Sequence, residues 1–267
     1  VIGWPVAHSR SPRLHNFWLA RHGIDGAYVP LAVAPADFAA AVRGLRAAGF
    51  RGANVTIPHK EAAFAICDAV DETSQRAGAV NTLVFGTDGI AGSNTDGAGF
   101  IANLRAHGVN PGAGPALLLG AGGAARAIAA SLLALGVRVS IANRSPARAA
   151  ALAEALPDLH ILAWDQRDAA LADHALLVNT TSLGMHGAPK LDLDLARAPV
   201  GMAVADIVYV PLTTPLLADA AARGLRAVGG LGMLLHQAVP GFAAWFGVTP
   251  VVDQEVTGLL AADIPAQ

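Results

Sequence analysis

Lys60 is a cation placed at the start of a helix, where a positive charge is unfavourable. It closes the run Asn54-Val55-Thr56-Ile57-Pro58-His59-Lys60, and Pro58 predicts that a helix opens there. The helix macrodipole disfavours a cation in the first turn by about 0.3–1 kcal/mol, so a lysine kept there suits the trading of protons. An exposed lysine paired with Glu61 would account for the same residue without chemistry. Three further clusters are hard to explain by folding alone. His8-Ser9-Arg10-Ser11-Pro12 sets two hydroxyls beside a helix start, which suits a carboxylate. Ser11 before Pro12 also reads as an ordinary N-cap, whereas Ser9 has no such duty. Asn81 stands in the apolar run around Gly78-Ala79-Val80-Asn81-Thr82, where its amide needs a partner, and a ligand hydroxyl is one. Asp96, in Gly92-Ser93-Asn94-Thr95-Asp96-Gly97, precedes a helical run and is either an N-cap or a second ionisable group beside Lys60.

A separate motif points to a dinucleotide. Leu117-Leu118-Leu119 runs into Gly120-Ala121-Gly122-Gly123-Ala124-Ala125, which reads as strand, Gly-x-Gly-x-x-Ala, helix. The first glycine makes the turn, the second lets the backbone reach a pyrophosphate, and the small third residue lets helix and strand pack closely. The next strand, Val137 to Ala142, ends in Asn143-Arg144-Ser145. A chain that binds NAD presents an acidic residue here for the ribose 2′-hydroxyl. Arg144 instead offers a planar fork suited to a phosphate, which implies NADP. Arg126 and Arg148 either add charge to the same place or are exposed helix residues.

These groups need elements to carry them. Short apolar runs alternate with helical patterns, which argues for an α/β fold with mostly parallel sheets. Strands are expected at Val1–Trp4, Ala27–Val33, Gly52–Thr56 and Ala79–Phe85, with helices near Pro12–His22, Pro35–Ala48, Pro58–Ala69 and Gly97–Ala106. His107 to Pro115, rich in glycine and proline, is the expected linker. Beyond it, strands are expected at Ala116–Leu119, Val137–Ala142, Ile161–Trp164, Ala175–Asn179, Ala203–Val208 and Leu225–Val228. Apolar helical segments follow at Leu231–Trp245 and Asp253–Ala262. Val1 reads as mid-strand, so residues are expected to precede it.

Composition narrows the function classes. With 267 residues, 54% hydrophobic and 14% charged, the chain can bury two domain cores and is not disordered. A net charge of -2 without a basic block argues against nucleic acid, and no stretch reads as a membrane span. Cys67 is the single cysteine, which excludes an internal disulfide, fits a cytoplasmic setting, and reads as buried filler. The histidines show no zinc-type spacing, so no metal is expected.

Taken in order, the motifs resemble the shikimate dehydrogenase family along essentially the whole chain. The resemblance rests on Gly3 to Asn16, Asn54 to Lys60, Gly78 to Thr82, Asn94 to Gly97, the Gly120 loop and Asn143 to Ser145. It continues through Asn179 to Met185, Asp206 to Tyr209, and Met233 to Gln237. It implies NADP-dependent reduction of 3-dehydroshikimate to shikimate, with Lys60 and Asp96 as the catalytic pair. It implies that Ser9 and Ser11 hold the substrate carboxylate and that Thr56, Asn81, Gln237 and Tyr209 serve the ring hydroxyls. It further implies that Gly120, Ala121, Gly122, Gly123 and Ala124 cradle the dinucleotide. Asn143, Arg144 and Ser145 would clamp the adenosine phosphate, while Ile207, Gly230 and Met233 line the nicotinamide pocket. The family often has Thr at position 145 and Asp at position 229, where this chain has Ser145 and Gly229.

The implied architecture is an N-terminal α/β substrate domain, a Rossmann domain, and a C-terminal helix that returns to the first domain. The expected bounds are 1–98 with 235–267 for the substrate domain and 99–234 for the Rossmann domain, the active site lying in the cleft between them. The partners expected are a small-molecule substrate and, for the chain itself, a monomer or homodimer. The nearest alternative is a quinate or dual quinate/shikimate dehydrogenase; Arg144 speaks against its usual NAD, and the paired serines favour shikimate. A folate-linked dehydrogenase is not supported by Ser9-Arg10-Ser11. A non-catalytic cofactor-sensing homologue would suit a chain lacking Lys60 or Asp96. The Arg144 reading has a direct test: Arg144→Ala is expected to weaken NADP binding and leave NAD use nearly unchanged, and equal losses with both cofactors would rule out a 2′-phosphate role.

Overall fold

The computed structural model describes residues 1–265 and separates them into two compact units. One comprises Val1–Asp96 with Gln237–Leu260; the other comprises Gly97–His236 with the residues from Ala261 onward. These bounds lie two residues from those expected at 98/99 and 234/235. The expected linker, residues 107–115, falls inside the second unit. There its turns return the chain from a helix to a strand, a job that needs the same glycines and prolines as a linker.

In the first unit, β1 (Ile2–Gly3) leads to α1 (Ser11–Arg21), then β2 (Leu31–Ala32) and α2 (Phe38–Ala47). β3 (Gly52–Asn54), α3 (Lys60–Ile66), β4 (Ala69–Val70) and α4 (Glu72–Ala77) follow, then β5 (Thr82–Gly86) and β6 (Gly89–Ser93). α1 buries Ser11, Leu14, His15, Trp18 and Leu19, the spacing of one helix face. The main sheet runs β3-β5-β6-β4 and is mixed: β5 is antiparallel to both β3 and β6, while β4 is parallel to β6. This departs from the mostly parallel sheet expected: β5 runs antiparallel to β3, and the hairpin strand β6 was not anticipated. Gly86 pairs with Gly89, so Thr87-Asp88 form a two-residue hairpin turn, the commonest hairpin length. Ile2, Phe38, Val42, Val55, Val80, Leu83 and Ile90 form this unit's core. Cys67 is half-buried rather than core filler; its Sγ donates to the Ala63 carbonyl, and burial pushes the thiol up to about 11.

The second unit takes α5 (Asp96–Ala106) from Gly97 on, then alternates strand and helix, except that no α-helix separates its fourth and fifth strands among the described residues. The order is β7 (Ala116–Leu119), α6 (Gly123–Ala134), β8 (Val139–Ala142), α7 (Pro146–Ala155), β9 (Leu159–Leu162), a short α8 (Arg167–Ala170) and β10 (Leu176–Asn179). β11 (Ala203–Asp206), α9 (Pro215–Ala222) and β12 (Arg226–Val228) complete it. The six strands are parallel, in the order β12-β11-β10-β7-β8-β9. That is the doubly wound Rossmann order, with its switch point between β7 and β10. Residues alternate between two cores: Leu118, Ile141, Val178 and Ala205 face Phe100, Ile128 and Leu152, while Leu117, Leu119, Leu177 and Val204 face Leu171, Leu216 and Leu217.

The C-terminal return is present. α10 (Leu231–Phe246) belongs to the first unit from Gln237 on, and α11 (Gln254–Ala261) follows it there up to Leu260. Trp245 is buried, and its indole N–H donates 2.9 Å to the Leu83 carbonyl. Gly52 makes room for it: a Cβ at that position would collide with the Leu83 carbonyl and the Trp245 ring. Phe242 packs edge-on against Trp18 at 5.5 Å, and Arg10 of the loop before α1 donates to the Leu260 carbonyl. From Ala261 the tail departs from expectation and joins the second unit, where the Pro265 carbonyl accepts from Leu212 N–H. Trp245→Ala is expected to cost about 3–5 kcal/mol of stability, read from urea unfolding; a loss below about 1 kcal/mol would mean that the return contributes little to the first unit.

Candidate active site

Four chemistry-bearing residues of the first unit meet in one hydrogen-bonded cluster. Lys60 is the first residue of α3, and Asp96, at the end of the β6 connection, is the first of α5. Lys60 Nζ donates to Asp96 Oδ2 at 2.5 Å, and both side chains are largely enclosed, at 23% and 11% exposure. The pairing with Glu61 is therefore not the one formed. Asp96 does not act as an N-cap either, since its other oxygen accepts from Asn81 Nδ2 at 2.7 Å. Its own N–H is received by Asn94 Oδ1 at 3.2 Å.

Asn81 is the hub of this cluster. Its Oδ1 accepts from the Thr95 backbone N–H at 2.9 Å and from Thr82 Oγ1 at 3.0 Å. Its Nδ2 lies 3.0 Å from Thr95 Oγ1 and 3.5 Å from Gln237 Oε1. The amide thus finds the partners that its apolar setting demands within the protein. Gln237 arrives on the returning α10, 3.4 Å from Thr95 Oγ1. Thr56 follows β3, half-buried, its N–H bound to the Ile2 carbonyl.

The two serines trade the duties expected of them. Ser11 is the first helical residue of α1, not its cap; Arg10 holds the cap position, with no side-chain cap bond. It is Ser9 whose Oγ accepts a backbone N–H, that of Ser11, at 3.4 Å. Capping therefore explains the Ser11 hydroxyl no better than it explains Ser9.

The second unit holds the remaining predicted residues. Gly120 ends β7 with φ +108°, a left-handed conformation that favours glycine, and a Cβ there would meet Thr180 Oγ1 at 2.6 Å. Gly122 and Gly123 open α6 with no atom within 4 Å of where a Cβ would stand. α6 starts without a side-chain cap and without an acidic residue in its first turn, so its N–H groups are available to an anion. Arg126 in that turn keeps a buried Nε with no partner among the described residues. Ala124 is half-buried, and Ala121, Ile207 and Met233 share one apolar cluster. Gly230 approaches so closely that a Cβ would strike the Ile207 carbonyl. Tyr209 also belongs to this unit.

After β8, Asn143 donates from Nδ2 to the Ser145 carbonyl at 2.8 Å, Ser145 occupies the cap position of α7, and Arg144 is exposed. An open glycine turn, an uncapped helix start and an exposed arginine in place of an acid fit a phosphorylated dinucleotide. Among the described residues no cluster of His, Cys, Asp and Glu could hold a metal ion.

Two supporting groups lie outside the predicted set. Asn54, buried in β3, donates from Nδ2 to the Asn81 carbonyl at 3.2 Å and to Thr82 Oγ1 at 3.0 Å. An amide inside an apolar strand was the available signal, the same one that singled out Asn81. Asp206 ends β11, buried, and accepts from Thr214 Oγ1, Val208 N–H and Asn179 Nδ2 at 2.7, 3.0 and 3.0 Å. Burial raises its carboxyl above the usual range, against the pull of those three bonds. It ties together the loops that follow β10 and β11.

The parallel order, the switch point and the glycine turn after β7 define a Rossmann-type dinucleotide-binding protein joined to a second α/β unit that carries the Lys60–Asp96 pair. The model of the shikimate dehydrogenase substrate binding domain matches residues 1–83, and that of shikimate / quinate 5-dehydrogenase matches residues 111–186. Shikimate dehydrogenase (NADP(+)) of Acidiphilium cryptum is 72% identical over 99% of this chain and 95% of its own. That of Rhodospirillum rubrum is 59% identical over 95% and 93%. The crystal structure of shikimate 5-dehydrogenase from Thermus thermophilus in complex with NADP(H) and shikimate superposes with a TM-score of 0.87. It is 39% identical and covers 98% of this chain and 97% of that one. The chain belongs to the shikimate dehydrogenase family.

The hub residue gives a test of the cluster. Asn81→Ala would strand the Thr95 N–H and one Asp96 oxygen in a buried place, so a stability loss of about 1–3 kcal/mol is expected from denaturant unfolding. A variant as stable as the parent would mean that these groups find other partners.

Proposed function

We propose that the chain catalyses the reversible, NADP-dependent reduction of 3-dehydroshikimate to shikimate, the step at a ring secondary alcohol in aromatic amino-acid biosynthesis. The observation that carries this reading is the Lys60–Asp96 hydrogen bond in a chain 72% identical to an NADP-dependent shikimate dehydrogenase. The lone cysteine and the class of reaction support a cytoplasmic location. No helix among the described residues is long and apolar enough to cross a membrane.

Ser9 and Ser11 donate to the substrate carboxylate, and Thr56, Asn81, Gln237 and Tyr209 take the ring hydroxyls. NADPH supplies the hydride when bound. Gly120, Ala121, Gly122, Gly123 and Ala124 present backbone to its pyrophosphate; Asn143, Arg144 and Ser145 hold the 2′-phosphate; Ile207, Gly230 and Met233 flank the nicotinamide. As the carbonyl carbon is reduced, Lys60 gives a proton to the carbonyl oxygen and regains one from solvent. In the alcohol direction it accepts the hydroxyl proton. Asp96 keeps the Lys60 amine aimed and stabilises its charged form, and Asn81 fixes the carboxylate from the other side.

The reading is tested by following NADPH absorbance with shikimate and with quinate, each with NADP and with NAD. Shikimate with NADP is expected to give the highest kcat/KM; a higher value for quinate or for NAD would overturn the assignment. General acid–base catalysis is worth about 10²–10⁴-fold, so Lys60→Met is expected to lower kcat by about that factor while shikimate and NADP still bind. A Lys60→Met enzyme within a few-fold of the parent, where chemistry limits the rate, would remove Lys60 from the mechanism.

A further inference from the structure

Asn103 belongs to none of the sequence motifs, yet it is buried on α5 among apolar neighbours. Phe100, Ile101 and Leu104 of the same helix lie in the core of the second unit. A leucine, with the same branching, would pack there without burying an amide. The two ends of the amide show what it does. Asn103 Nδ2 donates to the Gly229 carbonyl at 2.9 Å. That carbonyl can only accept, so the oxygen end of the amide faces the other way. Asn103 Oδ1 is buried against Gly232, where a Cβ would stand 1.9 Å from it, and it has no hydrogen-bond partner among the described residues. A buried acceptor without a partner is costly, so it is the Nδ2 bond that accounts for an amide at this place.

The backbone gripped in this way is the turn that leads from β12 into α10. Gly229 and Gly230 stand side by side in it, and neither has a side chain with which to restrain its backbone. The turn is held from outside instead. On one side Gly230 packs on the segment that follows β11, so closely that a Cβ would come within 2.2 Å of the Ile207 carbonyl oxygen and 2.8 Å of that of Val208. Val208 is itself tied through its N–H to the buried Asp206. On the other side Asn103 takes the Gly229 carbonyl, and Gly232 lets α10 come up against the same side chain. Asn103, Gly229, Gly230 and Gly232 all belong to the second unit, as do Ile207 and Met233.

We infer that Asn103 is a positioning residue for the cofactor: by fixing the Gly229 carbonyl it holds the Gly229-Gly230 turn and the start of α10 in the place that receives the nicotinamide. The inference rests on the proposed place of the nicotinamide beside Ile207, Gly230 and Met233. A turn ordered before the cofactor arrives loses no freedom on binding, so the cofactor is held more tightly. Hydride transfer is also sensitive to placement, since a misplacement of about 1 Å can lower a rate by about 10²-fold. The Asn103 side chain acts through the backbone of the turn and not by touching the cofactor itself.

The test is a double-mutant cycle of Asn103→Ala and Gly232→Ala, with calorimetric binding of NADP and of adenosine 2′,5′-bisphosphate, steady-state kinetics and a thermal melt for each variant. The bisphosphate carries the adenosine end of the cofactor and no nicotinamide. Asn103→Ala is expected to raise Kd for NADP about tenfold and to lower kcat by about the same factor, with Kd for the bisphosphate nearly unchanged. Gly232→Ala, whose methyl group must displace the Asn103 oxygen, is expected to act in the same direction. In the Asn103→Ala background it is expected to add almost nothing, because the two act through one contact. A lower Tm with NADP affinity and kcat unchanged would overturn the inference and leave Asn103 a merely structural residue. Equal losses for NADP and for the bisphosphate would overturn it too, since the whole unit would then have loosened. So would an effect of full size from Gly232→Ala in the Asn103→Ala background. Met233→Ala with the parent's Kd for NADP and the parent's kcat would instead overturn the nicotinamide reading of this pocket, and this inference with it.

Discussion

A lysine and an aspartate withdrawn from water can remain charged only if each is met by the other and by further hydrogen bonds. Lys60 and Asp96 meet that condition at 2.5 Å, with Asn81 on the second carboxylate oxygen. Much of the first unit is arranged around it. β5 and the turn after β6 bring Asn81 and Thr95 together, β3 sets Asn54 beneath them, and the returning α10 adds Gln237. Removing either charge would leave the other short of partners, so the pair helps to hold the local fold.

The second unit obeys a different constraint. A backbone that is to approach a charged ligand needs an open turn, and this unit has one where β7 ends. Gly120 turns at a positive φ beside Thr180, and α6 begins with bare N–H groups. Asp206 reinforces the neighbouring strand ends through neutral donors alone. A carboxylate satisfied in this way stays buried without a cation, and the loops it binds keep one conformation.

The residues proposed for catalysis and for binding are divided unequally between the two units. The Lys60–Asp96 pair and the serines lie in the first unit, which is built from a mixed sheet and reinforced by the chain's C-terminal segment. The glycine turn, the arginine that replaces an acid, and the apolar cluster of Ala121, Ile207 and Met233 lie in the second. Tyr209 is the one substrate residue expected from the sequence that belongs to the second unit.

Local signals were enough for much of this. The glycine spacing after Leu119 and the absence of an acid at Arg144 are legible because a turn conformation and a phosphate fork depend on a few adjacent residues. Strand and helix alternation in the second unit is legible because each parallel strand is a short apolar run. Lys60 and Asp96 stood out singly, but their bond joins positions 36 apart, and no local pattern encodes it. The same holds for Asn81, whose amide needs a partner that the local sequence does not name and that the fold supplies as Thr95 and Asp96. The departure of the tail from Ala261 onward and the buried contact between Tyr28 and Asn54 were decided by the tertiary structure. Each depends on which distant backbone or side chain satisfies a polar group once water has been excluded, and that choice exists only in the folded chain.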